Sequence, residues 1–233
     1  MSNNELKENQ PGLIEGMAKP FSRRKFLGVM GAGSALVVVA ASCKKTNLGS
    51  NNGGVDLGSG DVGILNYAYA LEQLEAAFYT QVIASPYRQI SDMEKAYLTD
   101  IRDHEIAHRE FFKAALGSKA IKALEVNFSA IDFTSRTSVL GTAKAFEDLG
   151  VSAYNGAGKL LVNPDYLTIA GKIVSVEARH AAWVRDAITP GSFADMSAVN
   201  AMGLDLERKP DDVLAIASAF LKTKINASNL PTS

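Results

Sequence analysis

Histidine is scarce in this chain of 233 residues, occurring only at His104, His108 and His180. Two of the three follow a glutamate at the same interval, in Glu105-Ile106-Ala107-His108 and in Glu177-Ala178-Arg179-His180. On a helix the Glu-x-x-His spacing sets a carboxylate and an imidazole on one face, a turn apart. That pairing is a ready-made half of a metal site. Two further glutamates extend the pattern. Glu72 sits in Ala70-Leu71-Glu72-Gln73-Leu74 and Glu147 in Ala145-Phe146-Glu147-Asp148-Leu149, and a tyrosine (Tyr79 or Tyr154) follows seven residues later in each case. Glu72 precedes Glu105 by 33 positions, and Glu147 precedes Glu177 by 30. The chain therefore reads as one helical hairpin written twice, each copy carrying Glu and then Glu-x-x-His. Docked about a pseudo-twofold axis, the copies bring four glutamates and two histidines together.

Charge balance says what such a cluster is for. Four buried carboxylates without counter-charge are very unfavourable. Two divalent cations neutralise them, and two neutral imidazoles complete the ligand set. Mixed carboxylate and imidazole ligation suits iron or manganese; zinc is compatible with it, and a soft copper site is not. The lone cysteine, Cys43, leaves no intramolecular disulfide and no cysteine-based zinc site. A formal net charge of -1 gives no electrostatic footprint for nucleic acid.

The elements that must position these residues are helices. Leu65, Ala68, Leu71, Leu74, Phe78 and Val82 recur at helical spacing and predict a first helix over about 62–84, ended by Ser85-Pro86. The capping box Ser91-Asp92-Met93-Glu94 opens a second, which runs to Leu116 before Gly117. A third is expected over 135–161, with Gly141, Gly150, Gly156 and Gly158 lowering its regularity. Asn163-Pro164 starts a fourth, which continues to Ile188. Short links make two antiparallel hairpins. The long segment 118–134 lets the second hairpin dock with its first helix parallel to the preceding one, a single-crossover four-helix bundle. A short helix from Pro210 to about Lys222 packs outside it. The fold class is all-α, with the bundle at 61–188 and a C-terminal extension at 189–233.

With these residues in place the chain resembles the ferritin-like di-iron and di-manganese carboxylate proteins, which include ferritins, rubrerythrins and manganese catalases. It is similar in particular to exported bacterial ferritin-like domains related to desiccation-associated proteins. The resemblance implies Glu72, Glu105, Glu147 and Glu177 as carboxylate ligands and His108 and His180 as imidazole ligands. It implies that Tyr79 and Tyr154 hydrogen-bond ligand carboxylates. Glu75 shares a face with Glu72, and the repeat sets Gly150 at its equivalent, so Glu72 reads as the ligand and Glu75 as a neighbouring acid or alternative ligand. His104 has no partner at ligand spacing and reads as solvated or structural, and Trp183 as a core residue.

The N-terminal segment reads as an address. Ser22-Arg23-Arg24-Lys25-Phe26-Leu27 and the apolar run after it resemble a twin-arginine export signal. Ala40-Ala41-Ser42-Cys43 resembles a lipobox, which implies a lipid on Cys43 and attachment to a membrane. The expected domains are thus a signal over 1–43, a Gly/Asn/Ser-rich flexible tether over 44–60, the bundle and the extension. Export by the twin-arginine machinery implies a protein that folds, and loads its metals, before reaching the periplasm or cell envelope. Two functional readings follow. One is a redox metalloprotein acting on O2 or a peroxide; the other is a non-enzymatic envelope protein of stress or desiccation tolerance with a structural metal site. Iron storage is a weaker third, because a tethered N-terminus sits poorly in a closed cage.

Overall fold

The computed structural model describes residues 53–232. The signal with Arg23 and Arg24, Cys43, and most of the tether lie outside the described residues. Four long helices and one short one dominate: α1 (Gly60–Ala84), α2 (Asp92–Leu116), α3 (Arg136–Gly158), α4 (Pro164–Ile188) and α5 (Pro210–Ala217). α1 packs on α2, α3 on α4, and α1 on α3. This is the expected bundle with its long connection between the second and third helices and a short C-terminal helix outside.

Local chemistry sets the helix ends. Ser91 accepts the Glu94 N–H at 3.1 Å, and Gly117 takes φ 56° just past the end of α2. Asn163 accepts the Asp165 N–H at 2.9 Å, and Pro164 fills the first helical position of α4. Two ends differ from expectation. α3 stops at Gly158, where Leu160 and Leu161 donate to Ala157 and Gly158 and tighten the last turn. α5 stops at Ala217, with a 3-10 turn over Ser218–Phe220, because the chain then extends to pair with the crossover: Lys222 N–H donates to Glu125 C=O at 2.8 Å.

α1 is buried nearly all round, from Gly63 through Ala76. A helix that deep must be covered on its outer face, and the crossover does so. A covering loop carries backbone groups that need partners. Asn66 donates to Leu57 C=O and Lys119 C=O and accepts the Ile121 N–H, each at 3.0 Å. Gln73 accepts the Leu124 N–H at 2.9 Å. Phe78 meets Phe128, Phe133 and Phe146, and Phe220 joins them through Phe146, which seals that stretch of the core with aromatic edges.

The ordered unit begins earlier than the helical pattern suggests. Strand β1 (Val55–Asp56) pairs in parallel with β2 (Ile225–Asn226), and Leu57 is fully buried. Residues from Val55 onward are therefore packed, not part of a loose tether. The C-terminal extension is equally engaged. Arg185, buried on α4, donates to both carboxylate oxygens of Asp148 on α3 at 2.7 and 2.8 Å and reaches Asp195 and Ser197 in the extension. Arg208 N–H donates to Ser152 C=O at 2.9 Å, which lays the chain along α3.

Candidate metal centre

All four helices deliver side chains to one place. α1 brings Glu72, α2 Glu105 and His108, α3 Glu147, and α4 Glu177 and His180. The four carboxylates are 0% exposed. Nδ1 of His108 lies 2.8 Å from Glu177 Oε1, 3.5 Å from Glu72 Oε2 and 3.8 Å from Glu105 Oε2. Nδ1 of His180 lies 2.9 Å from Glu105 Oε1, 3.5 Å from Glu147 Oε2 and 3.6 Å from Glu177 Oε2. Glu105 and Glu177 thus turn one oxygen toward each histidine, while Glu72 serves the His108 side and Glu147 the His180 side. The result is two overlapping groups, Glu72-Glu105-His108-Glu177 and Glu105-Glu147-Glu177-His180, with the ligand atoms of each within 4.8 Å of one another.

These inward atoms are close without being hydrogen-bonded. Glu72 Oε2, Glu147 Oε2, both oxygens of Glu105 and of Glu177, and Nδ1 of both histidines lack a well-directed partner. Lone pairs aimed at a shared centre, and not at each other, leave this signature. Each unsatisfied buried polar atom costs about 1–3 kcal/mol, so a whole cluster calls for a partner that accepts many lone pairs at once. A cation is such a partner, and the oxygen and imidazole donors fit one.

The outward oxygens are held by tyrosines in a crossed pattern. Tyr79 on α1 donates to Glu147 Oε1 on α3 at 2.5 Å, and Tyr154 on α3 donates to Glu72 Oε1 on α1. Each hairpin's tyrosine therefore fixes the other hairpin's glutamate.

Charge is arranged accordingly. Burial lifts Glu72, and lifts Glu105 well above the usual carboxylate range, with Glu177 adding repulsion in both. Burial also takes Glu147 to about 7, against the pull of His180. Glu177 escapes: burial would raise it, but the close approach of the His108 and His180 imidazoles brings it to about 2. Burial disfavours charge on both histidines, yet the carboxylates around them raise each to about 12. Without a cation the cluster therefore holds protons in the places a cation would take.

Glu75 is buried one turn beyond Glu72, outside both four-residue groups. Burial, and then the charges of Glu105, Glu177, Glu147 and Glu72, push its carboxyl well above the usual range. It has room because residue 150 is glycine: a Cβ there would stand 3.0 Å from Glu75 Oε1.

Trp183 differs from its sequence reading, and His104 makes a contact that the sequence did not show. Trp183 is half-buried and packs on the exposed Tyr97, with ring centroids 5.1 Å apart, so it flanks the bundle and does not belong to the core. His104 is exposed, as expected of a solvated residue, but its Nδ1 lies 2.9 Å from Nε2 of His180. The signal that could have found it is its own position: one turn before His108 on α2, it shares that histidine's side of the helix.

Fold and site together define a four-helix bundle of the ferritin-like class with a buried Glu/His cluster that can hold metal ions. A family model described as a ferritin-like domain matches residues 60–190, and the chain belongs to that family. No curated protein matches the chain.

Proposed function

We propose that this is an exported ferritin-like protein that binds two iron or manganese ions and reacts with O2 or a peroxide. The observation that carries the reading is the set of buried, inward-aimed oxygens and nitrogens left without hydrogen bonds. Glu72, Glu105, His108 and Glu177 would hold one ion, and Glu105, Glu147, Glu177 and His180 the other. Such a pair, when bound, supplies the electrons that reduce an oxidant. The chain's own residues do the rest. Glu105 and Glu177, which belong to both groups, would be shared between the two ions. Tyr79 and Tyr154 pin the outer oxygens of Glu147 and Glu72, which keeps the inner oxygens aimed inward. Glu75, whose carboxyl is held by burial well above the usual range, lies outside both ligand groups and would be the acid that supplies a proton to a reduced oxygen species. The pairing of Arg23 and Arg24 and the placement of Cys43 support export and a lipid anchor at the cell envelope.

The test is metal content followed by turnover. Protein from its own cell envelope should carry about two Fe or Mn per chain, and the loaded protein should consume peroxide. Glu147→Ala should lose the ion on the His180 side and the turnover with it. Two ions with no turnover would leave the metal structural, the role expected of a stress or desiccation protein. No metal, or zinc alone, would overturn the redox reading.

A further inference from the structure

The two halves of the metal cluster are not alike. His180 uses its ring nitrogens for different purposes: Nδ1 faces the carboxylates, and Nε2 faces outward to His104 Nδ1 at 2.9 Å. The planes of the two rings differ by only 11°, with centroids 5.2 Å apart. That separation is too long for face contact at about 3.5–4 Å. Near-parallel planes with the nitrogens between the centroids mean that the rings meet edge to edge, as an in-plane hydrogen bond requires. A ligating imidazole offers a lone pair from the metal-facing nitrogen, so its proton sits on the other. Holding an ion through its inward Nδ1, His180 would carry that proton on Nε2 and donate it to His104 Nδ1.

His108 has no counterpart. Among the described residues no side chain hydrogen-bonds to its Nε2. The repeat explains the difference, since His104 directly precedes Glu105 on α2 and the matching position before Glu177 on α4 is Val176. The hairpins agree at every ligand and part company here.

We propose that His104 is a positioning residue for His180, and that it makes the metal position of Glu105, Glu147, Glu177 and His180 the tighter of the two. This rests on the metal-binding reading above. His104 touches the cluster only through His180. It fixes which nitrogen of that ring is free for the ion and how the ring is turned. Outer hydrogen-bond partners of metal-binding histidines are typically worth 10–100-fold in affinity.

The experiment is calorimetric titration of the metal-free full-length protein with Mn(II), one position at a time. Glu72→Gln weakens the His108 side and isolates the His180 position; Glu147→Gln does the reverse. In the Glu72→Gln background, His104→Leu should weaken Mn(II) binding by about 10–100-fold. In the Glu147→Gln background it should change nothing. His104→Asn, which keeps an acceptor near the place of Nδ1, should restore much of the affinity, whereas a mere packing role would leave Asn and Leu equally impaired. Because His104 is exposed, the metal-free His104→Leu protein should still fold, its unfolding midpoint lowered only by the loss of the one hydrogen bond to His180. Equal effects in the two backgrounds, no effect in either, or no rescue by Asn would overturn the proposal. Wild-type protein that takes up no Mn(II) or Fe(II) would overturn the metal-binding reading and this proposal with it, whereas wild-type protein that binds two ions with equal affinity overturns the proposal alone.

Discussion

Glu75 on α1 occupies the space that a side chain at residue 150 on α3 would need, with its Oε1 3.0 Å from the place of that missing Cβ. A glycine in mid-helix gives up as much as about 1 kcal/mol relative to alanine. The cost is accepted at this point to admit a buried acid. Gly150→Ala should therefore be neutral or destabilising in the wild-type protein and stabilising, by up to about 1 kcal/mol, when Glu75 is alanine. Denaturant unfolding of the four metal-free proteins measures the coupling. Additive effects would show that Glu75 and Gly150 do not depend on each other.

Proton release should accompany metal loading. The carboxyl of Glu147 is raised from 4.5 to about 7, so its contribution to the stability of the metal-free protein is complete below pH 4.5 and lost as pH climbs through about 7. That loss is on the order of 3 kcal/mol over the window. His108 and His180, raised to about 12, keep their contributions below pH 6.5 and surrender them only at strongly alkaline pH. A bound cation takes the place of the Glu147 proton and removes this dependence. The difference in unfolding midpoint between metal-loaded and metal-free protein should thus widen from pH 5 to pH 7. A constant difference across that range would mean that Glu147 is already ionised in the metal-free cluster.

Two glycines of α3 should respond to alanine with opposite sign. A Cβ at Gly156 would fall 1.8 Å from Arg208 C=O, where the C-terminal extension crosses the helix. Gly156→Ala should displace that crossing, cost about 1–3 kcal/mol, and expose residues 190–208 to protease. Gly141 has nothing within 4 Å of its Cβ position, so Gly141→Ala should stabilise by up to about 1 kcal/mol. Midpoints shifting in the same direction would contradict the close approach at Gly156.

Much of this molecule was legible in its sequence for identifiable reasons. The ends of α2 and α4 are written in residues that act locally: the Ser91 to Glu94 box, Gly117, and Asn163-Pro164. The six clustered residues were legible because the hairpin is repeated, and a repeat exposes equivalent positions without any knowledge of packing. The contact of His104 with His180 was not, because it depends on how α2 and α4 face each other across the bundle. Nor was the docking of residues 190–208, a stretch whose hold on α3 comes from Arg185, Gly156 and Arg208 and not from any helical period. The β1–β2 pair is two residues long on each side, too short to leave an alternating pattern.

The crossed tyrosines bear on how such a protein comes to exist. A single hairpin of this kind already contains a glutamate, a Glu-x-x-His and a tyrosine, yet its tyrosine points at a carboxylate that only a second hairpin supplies. One hairpin could complete the cluster only by pairing with a copy of itself. The crossover at 117–135 turns that encounter between two copies into a fold within one chain. It also frees the copies to diverge, and His104 marks a place where they have.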